Sequence, residues 1–443
     1  MKKLTYLLVA SVFLGAHILA IDIGVAKVSI YRIMLITIFG LGILLMFQNH
    51  SILESTFQRQ KLQYRLIYLF WLFSAVISIL WVSDISRWVN GIFFVGCGVF
   101  SIFIISSFAK TESDIKRLFL IVFLMIVLHQ LIGIYEIMTN HYIWARLSSN
   151  RAAQFATSWT NRLPYSTFAN INDYSTVIFA IIPFSCIFFK LSKRNWLKLT
   201  SIFSILATIL LLYRTGSRGN QLAFIVFILT IVCLKVLNRK VITYLVYATL
   251  TLSSVGIIVF FAFSSVRQAI YGELQAFISH GGSNLYRINM IINGFIYVLK
   301  HFGLGVGAGN VEHWLTHYPV LEVDAPNIHN WFMDILTGYG LITFTLYIIM
   351  YIYILRQLYV SHKYSKNPFV KTASLYLFAY VVSFIFSSLS SASNIIIEWQ
   401  WVYWGVIIAY VQYTETAKSN IISEKCMNQD STKIPNKTIH SLY

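Results

Sequence analysis

Long apolar stretches alternate with short polar ones along this chain, and their lengths decide the fold class. About twelve apolar runs stand out: 4–20, 29–47, 66–82, 89–108, 118–138, 173–190, 197–213, 220–237, 241–263, 330–355, 372–390 and 399–413. Crossing about 30 Å of hydrocarbon takes roughly 20 mainly apolar residues in a helix. Lipid offers no partner to open backbone groups, so such runs are predicted to be helical. The pattern predicts an all-α polytopic membrane protein with about 12 transmembrane helices. Spans one to nine occupy 1–263, a large extracytoplasmic loop containing short helices occupies 264–329, spans ten to twelve occupy 330–413, and a cytoplasmic tail occupies 414–443. The tail after Tyr413 is polar and mixed in charge, which predicts no fixed structure.

Two polar connections interrupt the apolar rhythm at length. One, 139–172, carries Arg146, Arg151, Arg162 and the stretch Phe168-Ala169-Asn170-Ile171-Asn172-Asp173. The other, 264–329, shows mixed apolar and polar periodicity over 265–279 and 285–301, predicting short helices there. Its second half, from Arg287 to Asn330, concentrates glycine, arginine and histidine. Packing alone gives an apolar chain little reason for such a segment, whereas handling a polar substrate does.

Composition agrees. Mean hydropathy is +0.69 and charged residues make up 11% of 443, which excludes an ordinary soluble domain. Met1-Lys2-Lys3 followed by an apolar run ending at Ala20 has the form of a signal peptide, but further spans follow at once, so an uncleaved first span is expected. The cysteines Cys97, Cys186, Cys233 and Cys426 lie in apolar runs or the tail without CxxC spacing, indicating neither a disulfide framework nor a zinc site.

The net charge of +18 would suggest nucleic acid in a soluble protein, but here it follows membrane topology. With the N-terminus inside, 23 of the 34 basic residues fall on the cytoplasmic side together with both termini. The type of residue differs more sharply. Nine of the eleven outer basic residues are arginine (32, 87, 146, 151, 162, 214, 218, 267 and 287), against six of the 23 inner ones. Lysine suffices to hold a loop against anionic headgroups, whereas the planar guanidinium fork suits phosphate or carboxylate. Contact with lipid phosphates explains individual arginines; the collective bias points to an anionic ligand on the outer face.

Three constellations carry candidate chemistry. Gly303, Gly305, Gly307 and Gly309 alternate just after a predicted helix. Such a run either turns backbone N–H groups toward a phosphate or forms a turn that lets the loop dive back to the membrane. Gly303-x-Gly305-x-x-Ala308 with Asp324 downstream fits a relaxed dinucleotide fingerprint, but no strand precedes it. In Tyr213-Arg214-Thr215-Gly216-Ser217-Arg218-Gly219, Arg218 heads a helix, where a fixed cation and open N–H groups together suit an anion; the alternative is an arginine snorkelling to the lipid interface. His329-Asn330 opens the tenth run, where a histidine can act as base, acid or donor. His280, His301, His313 and His317 lie nearby; the i, i+4 spacing of the last two has metal-site form but no third ligand, and no metal site is expected.

The order F-x-N-x-N before a span, S-R-G opening the eighth, an arginine heading a helix that ends in G-x-G-x-G, and H-N opening the next long span resembles the O-antigen polymerase and ligase superfamily. These are bacterial membrane glycosyltransferases that include polymerases of O-antigen, capsule and exopolysaccharide repeat units and teichuronic acid biosynthesis proteins. The resemblance covers the topology of the whole chain, with the specific residues inside 165–345. It implies a GT-C-like fold in the cytoplasmic membrane and a glycan donor on undecaprenyl diphosphate. Transfer would take place outside, without a nucleotide sugar or a cofactor. By the same resemblance Arg218 and Arg287 hold the diphosphate and His329 contributes to transfer; on the residues alone, Glu312 and Asp324 are alternative bases. Asn170, Asn172, Gly305, Gly307 and Asn330 are further candidate substrate contacts. Ile171 replaces the proline usual in F-x-N-P-N.

The expected reaction is polymerisation of undecaprenyl-diphosphate-linked oligosaccharide repeat units. The lipid bilayer is the setting, a chain-length regulator and a flippase are accompanying proteins, and no nucleic acid is involved. Ligation of finished glycan to another acceptor is the nearest alternative. A transporter or lipid flippase is the alternative of another class, but it would place intramembrane charge near the bilayer midplane.

Overall fold

Where the described residues cover them, the apolar runs fall on helices in the computed structural model. The structure describes residues 1–15, 21–22, 27–48, 59–144, 162–236, 247, 251, 254–255, 261–268, 271, 283–323, 327–391 and 394–431. Most of run 241–263, and Arg146, Arg151, His280 and Asp324, lie outside them.

The helices are α1 (Lys2–Val12), α2 (Ile30–Gln48), α3 (Arg59–Ile77), α4 (Ile85–Phe108), α5 (Glu112–Thr139), α6 (Ile171–Phe179), α7 (Ile182–Leu191), α8 (Asn195–Thr215), α9 (Arg218–Val236), α10 (Ser283–Lys300), α11 (Val311–His317), α12 (Trp331–Tyr364), α13 (Pro368–Ser387) and α14 (Glu398–Ser431). Two short strands, β1 (Ile21–Asp22) and β2 (Lys27–Val28), pair antiparallel before α2. Among the described residues eight spans are long and apolar enough to cross a membrane, with α6 and α7 forming one of them. The chain is an all-α polytopic membrane protein.

Two boundaries differ from those the hydropathy pattern predicts. Run 173–190 breaks at Ala180–Ile181, because Pro183 in the first turn of α7 has no N–H for a continuous ladder. At the other end, α14 continues to Ser431, past Tyr413 where the apolar run ends. Extending an existing helix adds one hydrogen bond per residue and needs no new nucleus, so polarity alone does not end it.

Both ends of the bundle are tied by polar contacts. At the end holding the N-terminus, Lys2 pairs with Asp114 at 2.7 Å, and Glu112 accepts from Asn367 and Tyr413. The opposite end carries the polar connections 81–84, 162–170, 301–323, 327–330, 388–391 and 394–397. There Glu136 accepts from the N–H groups of Tyr165 and Ser166 at 2.7 and 2.8 Å, and the ring nitrogens of His129 bond Ser166 and the Phe13 carbonyl.

An aromatic cluster fixes the head of α12. Trp71 and Trp331 are fully buried, and Trp71 lies 5.0 Å from Trp401 and 5.4 Å from Tyr339, ring centre to ring centre. The Trp331 indole donates to Tyr347 at 2.8 Å. Such contacts add to area burial and define a single arrangement of α3, α12 and α14.

Candidate functional site

At the polar end the outer arginines take different roles. Arg162 donates to the carbonyls of Ile137 and Met138 at the end of α5, and Arg214 donates to the carbonyl of Arg162. Arg32 donates to Glu398 at 2.6 Å and lies over the rings of Phe93 and Phe94. Arg87 binds Glu312 at 3.1 Å and lies 3.7 Å from Asp84. These four cations complete protein acceptors or meet carboxylates.

Arg218 and Arg287 form no ion pair among the described residues. Arg218 is the first residue of α9 and exposed; Arg287 lies in the second turn of α10, half-buried. Burial chiefly, and then the charge of Arg218, hold the Arg287 guanidinium below its ordinary pKa. Two segments 69 positions apart in sequence thus bring like charges within electrostatic reach, an arrangement that an anion between them stabilises.

The setting of each follows from packing. Arg287 shares a stripe with Met290 and Gly294 on α10, at the i, i+3 and i+7 spacing. A side chain at Gly294 would meet Thr337, Ile328 and Met333, so this stripe lies on the start of α12. Arg218 is held from the other side: a side chain at Gly219 would strike Ser390 and the Phe386 carbonyl, at the end of α13. Asn220 locks this contact, donating to Ser175 and Thr176 and accepting from Ser387 at 2.6 Å. Ser391 in turn donates to Asp173 at 2.8 Å. The stretch 170–176, the S-R-G turn and the 387–391 segment therefore meet at one place.

The individual candidates fare differently. His329 adopts a left-handed backbone, φ 50°, uncommon for a residue with a side chain, and its N–H donates to the Asn327 side chain at 3.0 Å. Asn330 caps α12, its Oδ1 accepting from Phe332 and Met333. Asn170 caps α6 by accepting from Asn172 N–H at 2.8 Å. Both caps are structural contacts of the side-chain oxygen. Asn172 is half-buried, and its carbonyl accepts from Ser175 and Thr176.

The glycine run takes the second of its two sequence readings. It enters the bundle beside a kink in α12 at Gly340, where φ is 81° and ψ 177°. Val306 N–H donates to Thr337 O, Gly307 N–H to Gly338 O, Leu341 N–H to Gly303 O, and Ala308 N–H to Ser78 Oγ. Gly305 and Gly307 both hold positive φ, and a Cβ on Gly305 would lie 2.6 Å from Thr337 O. Glycine is needed there for close backbone approach, with the N–H groups of Val306, Gly307 and Ala308 satisfied by protein.

Beside the run lies a cavity of about 510 Å³. Arg87, Asn90, Glu312, Asn327, Asp334 and Asn394 give it polar lining, and Phe94 and Tyr339 give it apolar walls. Of these, sequence reading singled out Glu312 as a candidate base and Arg87 as an outer arginine. Asp334 and Asn394 carry no motif. His313 lies on α11, its Nδ1 3.7 Å from Asp84; burial first and then His317 lower its pKa. The hydrogen bond from Arg87 N–H to its carboxylate is the main cause holding Asp84 below the usual range. No group of three or more metal-ligating side chains occurs among the described residues. On the far side of Tyr339 a smaller apolar pocket, about 140 Å³, is lined by Phe70, Phe73, Trp81 and Leu304.

Residues 202–348, a stretch that contains Arg218, Arg287, the glycine run and His329, match the O-antigen ligase family. Across 418 residues the chain is 28% identical to the teichuronic acid biosynthesis protein TuaE of Bacillus subtilis (strain 168), covering 92% of this chain and 83% of that one. Together with the bundle and the arginine-headed site, these matches make the chain similar to the O-antigen polymerase and ligase superfamily.

Proposed function

We propose that this protein is a membrane glycosyltransferase of cell-surface polysaccharide biosynthesis. It polymerises oligosaccharide repeat units carried on undecaprenyl diphosphate, at the outer face of a bacterial cytoplasmic membrane. The observation that carries this reading is that Arg218 and Arg287 lie within electrostatic reach of each other without a carboxylate counter-ion among the described residues, inside the segment matched by the family. A diphosphate supplies the missing charge, and guanidinium groups bind phosphate oxygens in pairs.

In the reaction the anomeric C1–O bond to the diphosphate breaks, and its electron pair leaves on the phosphate oxygen. The acceptor hydroxyl oxygen bonds to C1, and its proton passes to His329. The leaving group is already activated, so the protein's share is positioning and charge stabilisation. Arg218 and Arg287 neutralise the departing diphosphate. His329 stands next to Asn327 and Ile328 of the cavity wall and next to the head of α12, which suits a group acting between donor and acceptor. A chain-length regulator and a flippase accompany such an enzyme in this proposal.

A second reading, transfer of finished glycan to a different acceptor, is favoured by the ligase description of the matched family. Deletion strains separate the two: loss of a polymerase leaves single repeat units, whereas loss of a ligase leaves polymer on its lipid carrier. Elongation of a lipid-linked repeat unit by purified protein in detergent tests both against a transporter, which needs a sealed compartment.

A further inference from the structure

The cavity beside the glycine run has chemistry unlike that of the paired arginines. Its volume, about 510 Å³, lies within the range of roughly 300–1,000 Å³ that small-molecule sites take. Asn394 lines it at 2% exposure; its amide nitrogen donates to Ser388 O at 3.2 Å, while its Oδ1 has no donor among the described residues. Buried amide oxygens are ordinarily satisfied, so this one is a spare acceptor behind the cavity wall. Glu312 and Asp334 add carboxylate acceptors, Asn90 adds an exposed amide, and Tyr339 forms a wall. The cation present, Arg87, already lies against Glu312 and Asp84. The lining thus welcomes O–H donors and opposes negative charge.

We propose that this cavity is a second subsite that holds a sugar ring of the acceptor and excludes rings bearing a carboxylate or phosphate. The inference rests on the glycan-transfer reading and gives its acceptor a place and a charge preference. The two subsites abut. The turn carrying Asn394 reaches back to Ser388, beside the Ser390 that packs on Gly219, and Asn327 of the cavity wall lies two residues before His329. Diphosphate and acceptor sugar are thereby sorted by charge onto opposite sides of one short segment.

Saturation-transfer NMR on the full chain in nanodiscs tests this with methyl β-glucoside and methyl β-glucuronide, which differ only at C6. The glucoside is expected to give a signal on the wild type. That signal falls about five- to tenfold in Asn394→Ala and in Asn90→Ala, the size of a lost hydrogen bond. The exposed Asn90 variant reports independently of any folding cost at buried Asn394. The glucuronide is expected to be silent on the wild type and to gain signal in Glu312→Gln and Asp334→Asn. Equal or stronger binding of the glucuronide by wild type, or a glucoside signal that is absent or survives both asparagine variants, overturns the proposal. Arg218→Ala should keep the glucoside signal. A wild type that binds glucoside but elongates no lipid-linked repeat would overturn the transfer reading and leave the sugar site standing.

Discussion

The guanidinium of Arg287 lies close enough to that of Arg218 for the second charge to lower the pKa of the first, although the two residues come from different helices with no ion-pair partner among the described residues. Like charges held together in this way are stabilised by an anion between them. Removing either should lower the transfer rate by about 10²–10³-fold, the loss of roughly 2–4 kcal/mol of transition-state stabilisation seen when a charge-stabilising donor is removed. Lysine at either position should restore part of the rate, and the double alanine variant should lose less than the two single losses combined. Single-turnover assays on lipid-linked substrate check this.

His329→Ala should slow transfer without weakening the fold, because the backbone N–H that bonds Asn327 remains. Thermal unfolding in detergent compared with turnover separates the two effects. An equal loss of stability and rate would mean that the histidine's left-handed turn matters more than its ring.

Asn330 and Asn170 are helix caps in the structure. Aspartate also caps, so Asn330→Asp should keep stability and activity, while Asn330→Ala should lose about 1 kcal/mol of stability. Loss of substrate affinity in the aspartate variant at unchanged stability would instead assign the amide to the substrate.

Arg32 and Glu398 are 90% and 88% buried at their side chains and 2.6 Å apart. Arg32→Ala leaves a buried carboxylate without this partner and should cost about 3–5 kcal/mol. Denaturation of the purified variant reads that loss, and Arg32→Ala combined with Glu398→Gln should recover much of it.

A Cβ at Gly309 would lie 2.1 Å from the Arg87 carbonyl, and φ there is 69°. Gly309→Ala should therefore prevent the run from docking on α4 and reduce the yield of folded protein. Gly216→Ala, at positive φ but in open space, should be much milder. Expression and unfolding midpoints of the two variants make the comparison.

The helical bundle was legible because run length and lipid chemistry constrain every span alike. The order of F-x-N-x-N, S-R-G, Arg287 and H-N was also legible in the sequence, and the first two meet through Asp173, Asn220 and Ser391. The role of the glycine run was not. Alternating glycine suits a phosphate cradle and a backbone-to-backbone turn equally, and only the partner at Thr337–Leu341 decides. The cavity was hidden for a related reason. Asn90, Glu312, Asp334 and Asn394 come from four separate segments with no local pattern, and their acceptor chemistry exists only once α4, α11, α12 and the turn before α14 are assembled.

The central claim is that paired arginines at one end of the bundle grip the diphosphate of a lipid-linked glycan during transfer. Purified wild-type protein mixed in detergent with an undecaprenyl-diphosphate-linked repeat unit should yield ladders of longer lipid-linked glycan. Arg218→Ala and Arg287→Ala, folded equally well, should yield almost none. Ladders of normal length and rate from both variants would contradict the account.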